Sequence, residues 1–118
     1  MNEMQAVAIK ACSILDDKLG TDIVCLDIAK MTIISDYFVI CSGRSAQHVK
    51  ALYDELEVKM EELGYPLIRA EGYSDGRWVV MDFSIVIVHI FNQPEREFYH
   101  LERLWDDGSN RIPFEETK

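Results

Sequence analysis

Four residues of this chain, Ser42-Gly43-Arg44-Ser45, lie between a predicted strand and a predicted helix, where a tight turn can bind a phosphate group. The backbone N–H groups of such a turn and the positive end of the helix dipole would face the anion. The segment matches neither the G-x-x-x-x-G-K-[ST] loop nor the G-x-G-x-x-G fingerprint. A turn in which Ser42 or Ser45 only caps the helix needs no ligand and is the simpler interpretation.

Carboxylates are the second group of candidates, since nucleotidyl transfer needs a pair of them on a strand to hold metal ions between phosphates. Asp16-Asp17 and Asp106-Asp107 are adjacent pairs near predicted helix ends, so their side chains diverge. Glu95 and Glu97 are two residues apart on a predicted helix and face different directions. The sequence therefore offers no catalytic carboxylate pair, and we expect no catalytic residue and no cofactor.

Histidine and cysteine side chains also lack the spacing of a metal site or of a nucleophilic pair. No two of the three histidines share ligand spacing with a cysteine or carboxylate on one face, so we expect no metal. Cys41 beside a histidine would be a nucleophile only with a third, orienting group, and none is evident. All three cysteines fall inside apolar patterns, which predicts buried thiols rather than a disulfide. These residues are His48, His89 and His100, and Cys12, Cys25 and Cys41.

The segment Arg77–Phe91 organises the rest of the chain, because its two arms are rich in Val, Ile and aromatic residues and predict an antiparallel hairpin. With the turn at Phe83-Ser84, Trp78 lies opposite His89. One face then carries Trp78, Val80, Asp82, Ile85, Ile87 and His89, and the other carries Val79, Met81, Val86, Val88 and Ile90. Both faces are largely apolar, so helices should cover both sides of the sheet.

The remaining elements follow from hydrophobic periodicity and from turn residues. The predicted helices are 2–19, which Gly20 ends, and 46–63, with a third that starts near Asn92 and turns Phe98, Leu101 and Trp105 inward. The predicted strands before the hairpin are Thr21–Ile28, Asp36–Cys41 and Leu67–Glu71. This order predicts an α/β fold with a mixed sheet of about five strands and helices on both faces. We expect one domain over residues 1–108 and a loose C-terminal tail over 109–118.

The formal net charge is −9, from 21 acidic and 12 basic residues in 118. No cluster of Lys and Arg could follow a phosphate backbone, so direct nucleic-acid binding is not expected. The charge fits either solubility alone or attraction to a basic partner. No apolar run approaches the roughly 20 residues of a membrane span, and the N-terminus lacks the pattern of a signal peptide. We therefore expect a cytoplasmic protein without membrane contact.

Trp78 is the most informative side chain of the hairpin. A large aromatic residue that shares a face with Val80 and Asp82 has the composition of an interface anchor, although packing under a helix would explain it equally. His89, in the middle of an apolar strand, fits either a hydrogen-bonded structural histidine or a neighbour of Trp78 at a contact surface. Together these residues favour a binding module over an enzyme.

An ordered set of motifs runs through most of the chain, from Val7 to Trp105. Its members are Asp36-Tyr37-Phe38-Val39-Ile40-Cys41-Ser42-Gly43, Val49-Lys50, Glu71-Gly72, Gly76, Trp78, Asp82, Val86–Phe91 with His89, Arg96-Glu97, Tyr99 and Leu101–Trp105. Each motif alone is weak, but the ordered set is specific. Together the motifs resemble those of the Iojap-like ribosomal silencing factors.

The resemblance implies a non-enzymatic translation repressor. Such a factor binds the large ribosomal subunit through its ribosomal protein number fourteen and sterically blocks association with the small subunit when nutrients are scarce. That partner protein is basic, so the negative charge of this chain would attract it. The resemblance also implies a homodimer and a nucleotidyltransferase-like fold without the catalytic carboxylates. Carried over by position, the partner-binding residues are Trp78, Asp82 and Glu71, with Val80 and His89 beside them.

This chain departs from the family pattern at Ser84-Ile85, where family members commonly have Gly-Asp in the hairpin turn. An apolar side chain thus replaces a carboxylate near Asp82, which would favour a more apolar contact or self-association at this point. Two other hypotheses stay open. One is a nucleotide-handling enzyme that uses the Ser42-Gly43 turn, and the other is an adaptor for a different basic partner.

Overall fold

A sheet of six strands organises residues 2–115, the part of the chain that the computed structural model describes. The strands lie in the order β3-β4-β5-β2-β1-β6. In chain order the elements are α1 (Glu3–Asp17), β1 (Thr21–Asp27), β2 (Tyr37–Gly43), α2 (Ala46–Glu62), β3 (Arg69–Glu71), β4 (Trp78–Asp82), β5 (Val86–Asn92), α3 (Gln93–Tyr99), α4 (Glu102–Trp105) and β6 (Arg111–Ile112).

Strands β2 and β5 form the centre of the sheet and pair in parallel, from Tyr37 opposite Val86 to Gly43 opposite Asn92. The other neighbouring strands pair antiparallel. Two antiparallel pairings separate β3 from β5, so β3 runs in the same direction as β2, and α2 makes the parallel crossover between them. The predicted mixed sheet is therefore confirmed.

Two hydrophobic cores cover the two faces of the sheet. The larger one packs α1 and α2 against the sheet through side chains that include Leu15, Leu52, Leu56, Val39 and Val88. The smaller one lies on the opposite face and comprises Val24, Leu26, Ile28, Phe38, Ile40, Ile87 and Phe91. Leu101 and Trp105, at the start and end of α4, are packed against this second core. Helices on both faces were predicted and are confirmed, but the second face has a much smaller cover.

The hairpin of β4 and β5 turns at Ser84-Ile85, one residue later than predicted. Phe83 is 3% exposed and packs into the larger core, and its N–H donates to the carbonyl oxygen of Val86 at 3.0 Å. Burial of this aromatic ring removes Phe83 from the turn, so Trp78 pairs with Phe91 rather than with His89. A shift of two positions in the pairing keeps the alternation of faces, so the predicted faces of β4 and β5 are confirmed.

Ile85 is the exception to that assignment, because it packs against the larger core and not on the face of Trp78. Ser84 beside it adopts a left-handed backbone with φ of 76°. The N–H of Ile85 donates to the Phe83 carbonyl at 3.0 Å, which makes a three-residue turn of the γ kind. The Ser84-Ile85 pair therefore adds no apolar side chain beside Asp82, in contrast to the expectation from the sequence.

The predicted third helix is broken into α3 and α4. His100 takes a left-handed conformation with φ of 48° and ψ of 49° and ends α3. Because of this break, Phe98 points away from the sheet and is 79% exposed, so its predicted inward position is wrong. Leu101 and Trp105 do pack inward, as predicted.

The ends of the other helices follow the sequence more closely. Ser45 caps α2 by accepting a hydrogen bond from the His48 N–H at 3.1 Å, and Gly64 follows that helix with φ of 95°. After α1 it is Leu19, with φ of 69°, and not the predicted Gly20, that takes the left-handed conformation. A Cβ at Gly20 would lie 2.5 Å from the Cys41 sulfur, so close packing explains that glycine.

The segment that follows α4 adds the sixth strand, where a loose tail was predicted from residue 109. Arg111 and Ile112 pair with β1, and the Asn110 side-chain amide donates to the carbonyl oxygens of Asp27 at 2.9 Å and Trp105 at 2.8 Å. Residues 116–118 of the predicted tail lie outside the described residues. Within 2–115, no helix is both long and apolar enough to cross a bilayer.

Ser84→Gly should stabilise the protein by about 1 kcal/mol, because glycine removes the steric cost of a left-handed residue and that gain exceeds the added entropy of the unfolded chain. The measurement is urea unfolding at neutral pH. Ser84→Ala is the matched control, since it removes the hydroxyl but keeps the strained conformation. Equal stability of the two variants would show that the φ angle of Ser84 carries no strain.

Candidate partner-binding surface

Trp78, the first residue of β4, is half-buried and fixed on three sides. Its indole ring stacks on Phe91 with centroids 4.8 Å apart and an angle of 23° between the planes. The ring of Tyr99 from α3 lies 5.0 Å away. The indole N–H donates to Nδ1 of His89 at 3.2 Å. Because its hydrogen-bonding group is used internally, Trp78 offers a partner an apolar, rigid surface.

His89 holds Trp78 from inside the sheet. Only 7% of the residue is exposed, and its ring lies 4.8 Å from that of Phe38 in an edge-on arrangement. Since Nδ1 accepts the indole hydrogen bond, the neutral tautomer carries its proton on Nε2, a buried nitrogen with no hydrogen-bond partner among the described residues. Burial lowers the pKa of His89 from 6.5 to about 4, so the imidazole is neutral at physiological pH.

An acidic groove of about 340 Å³ runs beside Trp78 along β3, β4 and β5. It is lined by Ile34, Arg69, Ala70, Glu71, Val80, Asp82 and Ile87. The Asp82 carboxylate is oriented by the backbone of the turn, because its Oδ1 accepts a hydrogen bond from the Ser84 N–H at 2.8 Å. Its Oδ2 lies 3.3 Å from Nε of Arg69, whose side chain is 78% exposed. The Asp82 side chain itself is 17% exposed, and an ion pair with so exposed an arginine is weak, so Arg69 can give way to another cation at little cost.

Gly72 allows the turn between β3 and β4 to pass close to the backbone of Trp78. It has φ of 90°, and a Cβ at this position would lie 2.1 Å from the Trp78 carbonyl oxygen. Only glycine therefore fits here. The sequence marked Glu71-Gly72 as a motif but gave no reason for the glycine, because the close approach is a contact between segments.

An exposed apolar patch on α3 and α4 was missed by the sequence analysis. Phe98 and Leu104 are 79% and 78% exposed, and Tyr99, which touches Trp78, is 50% exposed. The rings of Phe98 and Tyr99 meet edge to face at 5.0 Å. The sequence noted Tyr99 only as part of a motif, and it placed Phe98 in the core. Exposed aromatic rings such as those of Phe98 and Tyr99, in contact with a half-buried tryptophan, are typical of a protein-binding surface.

The structure does not present Ser42-Gly43 as a phosphate-binding turn. Both residues belong to β2, which extends beyond its predicted end at Cys41, and the buried Ser42 hydroxyl accepts a hydrogen bond from Nη1 of Arg96 at 3.0 Å. The N–H of Arg44 donates to Nδ1 of His48 at 3.0 Å, and the N–H of His48 donates to Ser45. The Ser42 hydroxyl and the N–H groups of Arg44 and His48 are thus engaged within the protein.

The described part of the chain contains neither a disulfide nor a cluster of side chains that could bind a metal ion. The three cysteines Cys12, Cys25 and Cys41 are buried and form no disulfide, as predicted. Among residues 2–115, no three His, Cys, Asp or Glu side chains lie close enough together to hold a metal ion.

Comparison with known proteins gives consistent results. The family model described as "Ribosomal silencing factor during starvation" matches residues 1–118. The chain is 38% identical over 108 residues to the ribosomal silencing factor RsfS of Bacillus subtilis, covering 92% of this chain and 91% of that protein. It is 40% identical over 98 residues to RsfS of Halalkalibacterium halodurans, covering 83% and 84%. A crystal structure of a Chromobacterium violaceum protein superposes with a TM-score of 0.86 at 32% identity, covering 99% of this chain and 98% of that one.

Stability should fall between pH 6.5 and pH 4 because of His89. Its pKa in the folded protein, about 4, lies below the ordinary value, so the unfolded chain binds the proton more tightly and protonation favours unfolding as the pH drops. The loss should approach about 3 kcal/mol at pH 4, the lower end of that window. Urea unfolding at a series of pH values measures it.

His89→Gln is the matched control, because its amide oxygen can accept the Trp78 hydrogen bond without titrating. The difference in stability between the native chain and this variant should shrink as the pH falls from 6.5 to 4. A constant difference across that window would contradict a neutral, buried His89.

Proposed function

The chain belongs to the ribosomal silencing factor family, and from this membership we propose that it binds the large ribosomal subunit and prevents association with the small one. The contact is made with ribosomal protein number fourteen of the large subunit. Translation is repressed in this way when nutrients are limiting. The observation that carries the proposal is the family match over residues 1–118, combined with a rigid, half-exposed tryptophan beside an acidic groove.

The proposed contact surface comprises Trp78, Val80, Asp82 and Glu71, with His89 behind them. Trp78 supplies apolar area at little entropic cost, because Phe91, Tyr99 and His89 already fix its orientation. Val80 lines the groove beside it, and Asp82 and Glu71 place two carboxylates on the groove walls. His89 contributes by holding the indole, since so little of its own surface is exposed.

Electrostatics support a basic protein as the partner. The net charge of −9 attracts a cationic surface and disfavours approach to exposed RNA phosphates. Apolar residues at the centre of a contact and carboxylates beside them suit a basic protein better than a nucleic acid. The Asp82 carboxylate is pre-oriented by the Ser84 N–H, so little ordering is needed when a cation arrives.

The mechanism we propose is steric exclusion, with no catalytic step. The described part of the chain extends over 33 × 32 × 28 Å. Joined ribosomal subunits are in direct contact with each other. A protein of this size, bound to the face where they meet, therefore prevents the small subunit from approaching. The protein would act in the cytoplasm, where ribosomal subunits join.

We also propose that the protein forms a homodimer. Phe98 on α3 and Leu104 on α4 are more than three-quarters exposed, and the ring of Phe98 contacts Tyr99, which in turn contacts Trp78. Pairing of two such patches would bury them from water. Because Tyr99 belongs to this patch and packs against Trp78 of the contact surface, dimer formation and ribosome binding would then compete.

Trp78→Ala should weaken binding to isolated large subunits by about 2 kcal/mol, or about 30-fold in affinity, because the variant loses the rigid anchor. Co-sedimentation at a fixed moderate salt concentration measures the bound fraction, and small subunits are then added to measure joining. Val58→Ala is the matched control, since this side chain is 55% exposed on α2, on the opposite side of the sheet, and its loss should change neither result.

Two outcomes of this experiment would contradict the proposal. If the native chain stays in the supernatant, then the family function does not extend to it. If the native chain binds but Trp78→Ala binds equally well, then the contact lies on another face of the protein.

Asp82→Asn should weaken binding at low salt, with a smaller effect as salt increases, because one pre-oriented charge is lost and salt screens the remainder. The asparagine keeps the acceptor for the Ser84 N–H, so the turn is preserved. Glu61→Gln makes the same change of charge at an exposed position on α2. If both variants lose affinity equally, then total charge and not the groove determines the attraction.

A further inference from the structure

Arg96 on α3 is an arginine that is almost completely buried, with 6% of its surface exposed. Its Nε and Nη2 both donate to Oε2 of Glu102, at 3.0 and 2.9 Å. Its Nη1 donates to the hydroxyl of Ser42 at 3.0 Å. A single side chain thus connects α3, α4 and the end of β2. A buried charge with this many hydrogen bonds is costly to disturb, since breaking the pair leaves an uncompensated ion.

The ion pair between Arg96 and Glu102 spans the break at His100. Arg96 lies before this left-handed residue and Glu102 begins the next helix. Burial alone would raise the pKa of Glu102, but the hydrogen bonds and the charge of Arg96 outweigh burial and hold that pKa below its ordinary value. We refer to residues 93–105 as the elbow, and this ion pair closes it.

Other interactions hold the elbow only weakly. α3 has seven residues and α4 has four, too few for either helix to be stable alone. Phe98 and Leu104 are exposed and contribute little burial. Leu101 and Trp105 pack on the smaller core, where the ring of Trp105 lies 4.9 Å from that of Phe38. Among the described residues, the link from Arg96 to Ser42 is the side-chain hydrogen bond that attaches α3 to the sheet, while the Asn110 amide holds the far end of the elbow through the Trp105 carbonyl.

The position of the elbow decides the environment of Trp78. Tyr99, one turn after Arg96 on α3, places its ring 5.0 Å from the indole. If the elbow opened, Trp78 would keep Phe91 and His89 but lose the aromatic ring on its third side. The surface offered to a partner would change in shape although no residue of β4 had moved.

We infer that Arg96 is a positioning residue: it locks the elbow to β2 through Ser42 and Glu102 and so holds Tyr99 against Trp78 in the binding-competent arrangement. Its role is to set the fraction of molecules with a formed surface, because apparent affinity scales with that fraction. It also gives a structural role to the buried hydroxyl of Ser42, a residue that suggested phosphate binding from the sequence. The inference rests on the proposed function for its effect on binding, but its effect on the elbow is independent of any ribosome.

The experiment compares Arg96→Ala, the double variant Arg96→Met/Glu102→Leu and the control Arg103→Ala, an exposed arginine on α4. Amide hydrogen exchange and nuclear Overhauser contacts between the rings of Trp78 and Tyr99 are measured on the isolated protein. Affinity for purified large subunits is measured separately. Arg96→Lys is included because it keeps the positive charge but lacks the guanidinium group that binds Glu102 and Ser42 together. It reports on the elbow if the alanine variant fails to fold.

Arg96→Ala should speed exchange in residues 93–105 about 100-fold, with little change in β2 and β5, and should remove the ring contacts. Affinity should fall about 10-fold or more. The double variant replaces the ion pair by apolar side chains of similar volume, which can pack equally well. It should restore the ring contacts and bring the affinity to within about 3-fold of the native value. Arg103→Ala should match the native chain in amide exchange and in the ring contacts.

Unchanged exchange and ring contacts in Arg96→Ala, or in Arg96→Lys if the alanine variant does not fold, would overturn the inference. So would a double variant with a closed elbow that still fails to bind, because Arg96 would then contact the partner itself. If the native chain does not bind large subunits, the proposed function fails, and the exchange and ring contacts still decide whether Arg96 closes the elbow.

Discussion

Strands β2 and β5 lie side by side at the centre of the sheet, and β2 is buried along its whole length. Because apolar side chains project from both faces of this parallel pair, the protein must cover both sides of the sheet. α1 and α2 provide a large cover on one side. The other side is covered by α3 and α4, which together are far smaller. That asymmetry leaves Trp78 and Val80 at the margin of the second core, half-buried and rigid, where a partner can reach them.

The same asymmetry explains why polar interactions are concentrated around the second face. Two helices as short as α3 and α4 bury too little apolar surface to be held by hydrophobic contacts alone. Arg96 of α3 adds hydrogen bonds to Ser42 of β2 and to Glu102 of α4. Likewise the indole of Trp78 is fixed by a hydrogen bond to His89 as well as by ring contacts. The acidic groove lies next to this rigid cluster, so a basic partner would meet the oriented carboxylate of Asp82 beside an apolar anchor.

Much of this architecture could be predicted from the sequence, since β strands and amphipathic helices have short, readable periods. The faces of β4 and β5 were correct even though the turn was misplaced, because alternation survives an even shift in pairing. The break at His100 was not predicted because no Gly or Pro lies there. Strand β6 was not predicted because two residues are too few to show a strand pattern. The roles of Arg96, Gly72 and Tyr99 depend on contacts between distant segments, which the order of residues does not reveal.

We propose that the protein meets the large ribosomal subunit with the face that bears Trp78. Amide hydrogen exchange of the protein, free and bound to purified large subunits, tests it directly. We expect slower exchange upon binding in residues 69–82 and 93–105 and no change in α1 or in the solvent-facing amides of α2. Protection confined to α1 and α2, with residues 69–105 unchanged, would contradict the account.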